Sequence, residues 1–180
     1  QCLDAVAKIE ADHGPVDILV NNAGITRDAT IMKMTWEQWD EVIRVDLSGC
    51  FNMAKACFPG MRTRGWGRIV NIGSINGQGG QIGQVNYAAA KSGIHGFTKS
   101  LAMEGARYGV TANAIAPGYI ATEMLSVIPQ NVMDKIVAQI PVGRLGQAEE
   151  IARGVVFLTA EEAAFVTGST LSINGGQHMY

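Results

Sequence analysis

Tyr87 and Lys91 stand four residues apart in VNYAAAKSG, so on a helix their side chains share one face. A phenol with its ordinary pKa of ~10 is a poor acid–base group at neutral pH. An ammonium a few ångströms away favours the phenolate and is expected to lower that value. In a cleft, such a pair moves a proton to or from an alcohol oxygen. Ser74 follows the apolar run RIVNI, 13 residues before Tyr87. Its hydroxyl either hydrogen-bonds the same substrate oxygen or simply caps a turn. Asn21-Asn22-Ala23-Gly24 follows a second apolar run, DILVN. It is either an ordinary Asn/Gly turn or a platform whose amides tie neighbouring segments and whose small residues admit a flat ring.

The elements that must hold these residues alternate between helix and strand. Residues 3–12 have helical spacing at Leu3, Val6, Ala7 and Ile9, and Gly14-Pro15 stops them. Residues 17–21 read as a buried strand. Thr35 with Gln38 forms a capping box that opens a helix carrying Trp36, Trp39, Val42 and Ile43. A further helix is expected from about Leu47 to Met61, with Pro59 near its end. Residues 68–72 give another strand, 77–83 a glycine-rich loop, and 87–107 a long helix. Val110–Ala114 and Leu171–Ile173 are short strands, and helices over 131–139 and 147–159 lie between them. Short strands alternating with helices imply one α/β domain over 1–180, a parallel sheet covered on both faces. Ligands of such sheets sit beyond the carboxyl ends of the strands. Asn21–Ile25, Gly73–Gln84 and Pro117–Thr122 all fall there.

Composition narrows the function classes. Hydrophobic residues make up 47% and charged residues 17%, a globular balance. The net charge of -2 and the lack of a basic run argue against nucleic acid as a partner. No apolar run reaches the ~18 residues of a membrane span. Cys2, Cys50 and Cys57 are sparse and odd in number, which suits free thiols in a reducing cytoplasm. His13, His95 and His178 are widely spaced without ligand patterns, so no metal site is expected.

Taken together, Asn21-Asn22-Ala23-Gly24, Ser74, Tyr87-Ala88-Ala89-Ala90-Lys91, Pro117-Gly118 and Asn174-Gly175-Gly176 resemble, in order and spacing, the short-chain dehydrogenase/reductases. The resemblance spans essentially the whole chain. It implies a Rossmann-type doubly wound fold and hydride transfer between a nicotinamide cofactor, expected to be NADPH with NADH as the alternative, and a carbonyl or alcohol. It implies Tyr87 as catalytic acid, Lys91 as the group that lowers its pKa and holds the ribose, and Ser74 as the group that orients the carbonyl. Asn22, Ala23, Gly24 and Ile25 would line the adenosine and ribose side. Pro117, Gly118 and Ile120 would meet the nicotinamide amide, with Thr122 near the phosphates. Within the family, NNAGITRD, RGWGRIVNI, GQIGQVN and NGGQHM resemble the branch that reduces acetoacetyl-CoA for polyhydroxyalkanoate synthesis. The reductases that act on acyl carrier protein thioesters are close neighbours. In the first branch the positions matching Asp28, Gln81, Ile82, Gln84 and Tyr119 contact the acyl-CoA.

Two departures stand out. The family's glycine-rich phosphate loop and first three strands are expected before Gln1, so the chain is expected to be the C-terminal three-quarters of a longer protein. GQGGQIG at 77–83 is no substitute, because Ile82 takes the place of the third glycine and the segment precedes the tyrosine instead of following a first strand. The catalytic asparagine of many relatives matches Asp46, which accepts but, when ionised, cannot donate a hydrogen bond. These departures keep open a non-catalytic homologue that acts by assembly, although an intact Ser74, Tyr87 and Lys91 weighs against it. Relatives are mostly homotetramers. Ile94, Phe97, Leu101 and Met103, with Trp39, Val42, Cys50, Phe51 and Met53, exceed what one packed helix face needs. Dimer contacts are expected through the helices starting near Leu47 and Tyr87, and tetramer contacts through 147–176.

Overall fold

The computed structural model of the chain describes residues 1–125 and 129–179. Helix α1 (Cys2–His13) precedes strand β1 (Ile18–Asn21). Helix α2 (Trp36–Val42) opens at the capping box read from the sequence: Thr35 Oγ1 accepts from Gln38 N, and Gln38 Oε1 accepts from Thr35 N. A π-helical turn, Ile43–Leu47, joins it to α3 (Ser48–Arg64). Strand β2 (Gly67–Ile72), helix α4 (Ile75–Gly79), helix α5 (Val85–Gly105) and strand β3 (Val110–Pro117) follow. Helices α6 (Gln130–Ala138) and α7 (Ala148–Thr159) then lead to β4 (Thr170–Ile173).

The four strands run parallel in the order β1-β2-β3-β4. Every residue of β2 is buried: Ile69, Val70 and Ile72 pack on the covered faces, while the buried Arg68 and Asn71 are hydrogen-bonded. On one face Leu19, Ile69 and Ala112 pack against Ala54, Cys57 and Met61 of α3 and Ala102 of α5. On the other, Val70, Ile72 and Ile115 meet Ile151, Val155 and Leu158 of α7. The parallel register sets Asn21 beside Asn71 and Ile72 beside Ile115, so the strand ends meet along one edge. Asn21 Nδ2 donates to Asn71 Oδ1 at 2.8 Å, and Asn71 Nδ2 donates to Thr98 Oγ1 at 2.9 Å. One chain of amides thus ties β1 and β2 to α5.

Three expectations change. The 77–83 segment is no simple loop, because residues 75–79 form α4 with Ser74 as its cap. That cap offsets the poor helix propensity of two glycines. Gly77 is also required by packing: a Cβ there would lie 2.7 Å from the Lys91 carbonyl carbon, so only glycine lets α4 rest on the α5 backbone. The α3 helix runs on to Arg64 rather than ending about Met61, so Pro59 lies inside it, five residues before its end. Of the apolar residues expected at subunit contacts, Val42, Cys50 and Ile94 are buried within the chain, the latter two packed together with Ala114 of β3.

Candidate active site

The loops after β1, β2 and β3 enclose a cleft of about 600 Å³. It lies at the carboxyl ends of the strands, where open parallel sheets bind their ligands. Ser74, Tyr87 and Lys91 line it together with Asn22, Gly24, Asp28, Gln81, Ile82, Gln84, Pro117, Gly118, Tyr119, Ile120 and Thr122. Two residues expected on the cofactor side do not line this cleft. Ala23 is exposed and lies outside the lining, and Ile25 turns its backbone N–H away to Asp46 Oδ1 at 2.9 Å. Asp46 itself is fully buried beneath the cleft.

Each central side chain is fixed by a specific local contact. Ser74 Oγ accepts the N–H of Asn76 at 3.1 Å, so the hydroxyl does cap a helix. The acceptor role leaves its proton free, and it also bonds the Tyr87 phenol. The two readings of Ser74 are therefore compatible. Tyr87 sits in the first turn of α5, and its N–H donates to Asn86 Oδ1 at 2.8 Å. The Asn86 amide donates in turn to the carbonyls of Arg27 and Gln38, both at 3.1 Å. This fully buried asparagine pins the start of α5 to the loop after β1. The sequence carried no signal for it beyond an asparagine beside the tyrosine.

Lys91 is 3% exposed. Its Nζ donates to the Ile72 carbonyl at 2.9 Å and lies 3.6 Å from Asp46 Oδ2. A further N–H is left for the cleft that Lys91 lines. Gly24 makes this arrangement possible: a Cβ there would come within 3.1 Å of Asp46 Oδ2 and 3.2 Å of Lys91 Nζ. Asp46 comes from the π-helical turn, a local widening that recurs at functional sites.

The electrostatics correct one expectation. The Tyr87 pKa is not lowered; it is pushed up to about 12. Burial of the phenol is the main cause, a hydrogen bond from Ser74 opposes it, and the carboxylates of Asp46 and Asp28 add to the rise. The Lys91 ammonium is paired with Asp46 and lies 5.5 Å from the centre of the Tyr87 ring. Burial lowers the Lys91 pKa while Asp46 supports its charge. Burial raises the Asp46 pKa, opposed by the Ile25 N–H and by Lys91. The outcome is a firmly protonated phenol beside a serine hydroxyl, suited to donate a proton to a developing alkoxide.

The donor set fits a nicotinamide dinucleotide. A buried ammonium with an N–H to spare suits ribose hydroxyls, and Gly118, which lines the cleft without a Cβ, lets a ring approach the backbone closely. The family model described as Enoyl-(Acyl carrier protein) reductase matches residues 1–178. An acetoacetyl-CoA reductase of Rhizobium meliloti (strain 1021) is 64% identical over 98% of the chain and 74% of that protein. One of Cupriavidus necator is 56% identical over 97% of the chain and 71% of that protein. The 3-oxoacyl-acyl carrier protein reductase of Escherichia coli (strain K12) is 51% identical over 96% of the chain and 70% of that protein.

Proposed function

The chain belongs to the short-chain dehydrogenase/reductase family of NAD(P)-dependent oxidoreductases, and from that premise we propose that it reduces acetoacetyl-CoA to (R)-3-hydroxybutyryl-CoA with NADPH. The observation that carries this reading is the identity to acetoacetyl-CoA reductases over nearly the whole chain, with Ser74, Tyr87 and Lys91 gathered in one cleft. A bound nicotinamide supplies the hydride. Ser74 donates a hydrogen bond to the 3-oxo group and orients it. Tyr87 gives up its phenolic proton as negative charge grows on that oxygen. Lys91 holds the ribose hydroxyls, with Asn22, Gly24, Pro117, Gly118, Ile120 and Thr122 around the rest of the cofactor. Asp46 holds the Lys91 ammonium in place from below. Asp28, Gln81, Ile82, Gln84 and Tyr119 receive the acyl thioester.

The likeness to the Escherichia coli enzyme supports a second reading, reduction of the acyl carrier protein thioester. Turnover on the two thioesters separates them. A kcat/KM at least tenfold higher on acetoacetyl-CoA than on acetoacetyl-acyl carrier protein is expected. The reverse ratio would assign the chain to the carrier-protein branch.

Assembly as a homotetramer goes with this reading. Phe51 stays 49% exposed and Met103 83% exposed, and Phe97 and Leu101 are only half-buried. Phe51, Phe58, Phe97 and Leu101 line one shallow apolar groove between α3 and α5. An apolar face of this kind marks an interface. Light scattering of the full-length protein at micromolar concentration is expected to give four times the subunit mass. A monomer mass would refute the assembly.

A further inference from the structure

A chain of polar side chains crosses the cleft beside Ser74 and Tyr87. Gln84 Nε2 donates to both carboxylate oxygens of Asp28, at 3.1 and 3.0 Å, and Gln84 Oε1 accepts from Asn76 Nδ2 at 2.9 Å. The direction of this chain is forced. A carboxylate only accepts hydrogen bonds, so Gln84 must turn its NH₂ toward Asp28 and its oxygen toward Asn76. Asn76 must then present its own NH₂ to Gln84, which leaves Asn76 Oδ1 as an acceptor. Among the described residues no donor is bonded to that oxygen, and Asn76 lines the cleft. The Asn76 backbone N–H bonds Ser74 Oγ, so this acceptor stands two residues from the group that orients the substrate carbonyl.

We propose that Asn76 is a specificity-determining residue whose Oδ1 accepts the N–H of an amide in the substrate's thioester arm, held in that orientation by Asp28 through Gln84. The inference rests on the reading above that the substrate is a 3-oxoacyl thioester. Both coenzyme A and acyl carrier protein present such an arm, with an amide a few bonds beyond the sulfur. No proton is transferred and no covalent bond changes; the amide N–H exchanges water for Oδ1.

Two small 3-oxothioesters test it on the full-length enzyme: acetoacetyl-N-acetylcysteamine, which carries the amide, and S-ethyl acetothioacetate, which lacks it. Asn76→Ala removes the side-chain acceptor and keeps the backbone N–H that donates to Ser74 Oγ. It is expected to lower kcat/KM about fivefold on the amide-bearing thioester and less than twofold on the ethyl thioester, in line with the loss of one neutral hydrogen bond. Asp28→Asn releases the orientation of Gln84 and is expected to reduce the preference for the amide-bearing substrate as well. Equal losses on both substrates for Asn76→Ala, or no loss, would overturn the proposal while leaving the thioester reading intact. A full amide preference in Asp28→Asn would overturn the part assigned to Asp28. A wild-type enzyme that reduces neither compound would overturn both readings.

Discussion

Replacing Tyr87 by phenylalanine is expected to lower kcat by about 10²–10⁴-fold while the protein stays folded. The ring packs in the cleft in both cases; only the proton donor is lost. The hydroxyl bonds Ser74, so its removal should cost no more than about 1.5 kcal/mol of stability. The same variant reports on the electrostatics. Alkaline difference absorbance between wild type and Tyr87→Phe isolates the ionisation of this one phenol. It is expected near about 12, where burial and the carboxylates of Asp46 and Asp28 place it. An ionisation at or below the ordinary ~10 would mean that the Lys91 charge dominates after all. A variant that keeps a third or more of the wild-type rate would remove Tyr87 from the chemistry.

Lys91→Met is expected to cost both activity and stability. The ammonium is the charge partner of a fully buried carboxylate, and methionine leaves Asp46 without it. Breaking a buried pair from one side costs about 3–5 kcal/mol. The pH dependence has a definite sign. The folded Asp46 pKa is already raised above its unfolded value by burial and rises further without Lys91. A raised carboxyl pKa favours the fold when the group is protonated. The stability deficit should therefore be smallest below the unfolded pKa of ~3.9, grow as the pH rises through the folded value, and stay constant above it. The double variant Lys91→Met/Asp46→Asn removes the stranded charge and keeps an acceptor for the Ile25 N–H. It is expected to regain most of the stability and none of the activity. Denaturant melts of the three proteins check this; a Lys91→Met protein as stable as wild type would show that the pair does not compensate burial.

What the sequence disclosed was local, and what it concealed came from residues brought together by folding. The Thr35–Gln38 capping box is a contact over three residues, and it forms as read. The apolar runs at 17–21 and 68–72 are adjacent parallel strands, but only the second is buried throughout; β1 leaves Ile18 and Val20 exposed on one face, so its apolar run overstated its burial. The four-residue spacing of Tyr87 and Lys91 does put both in one cleft. The ionisation of Tyr87 was beyond reach, since it depends on burial and on Asp46 and Asp28, which are 41 and 59 positions away in the chain. The π-helical turn at Ile43–Leu47 leaves no trace in an amphipathic pattern, yet it delivers Asp46. Helix α4 hides behind INGQG, whose composition reads as a loop until Ser74 caps it and Ser92 Oγ donates to the Gly77 carbonyl. Asn76 and Asn86 likewise act through partners that spacing cannot reveal.

The most direct measurement mixes the full-length enzyme with NADPH and acetoacetyl-CoA, follows NADPH loss, and determines the configuration of the product. One (R)-3-hydroxybutyryl-CoA formed per NADPH consumed is expected, at a turnover on the order of 1–10³ s⁻¹. A folded protein that binds NADPH but leaves acetoacetyl-CoA unreduced, or that yields the (S) alcohol, would contradict the assignment.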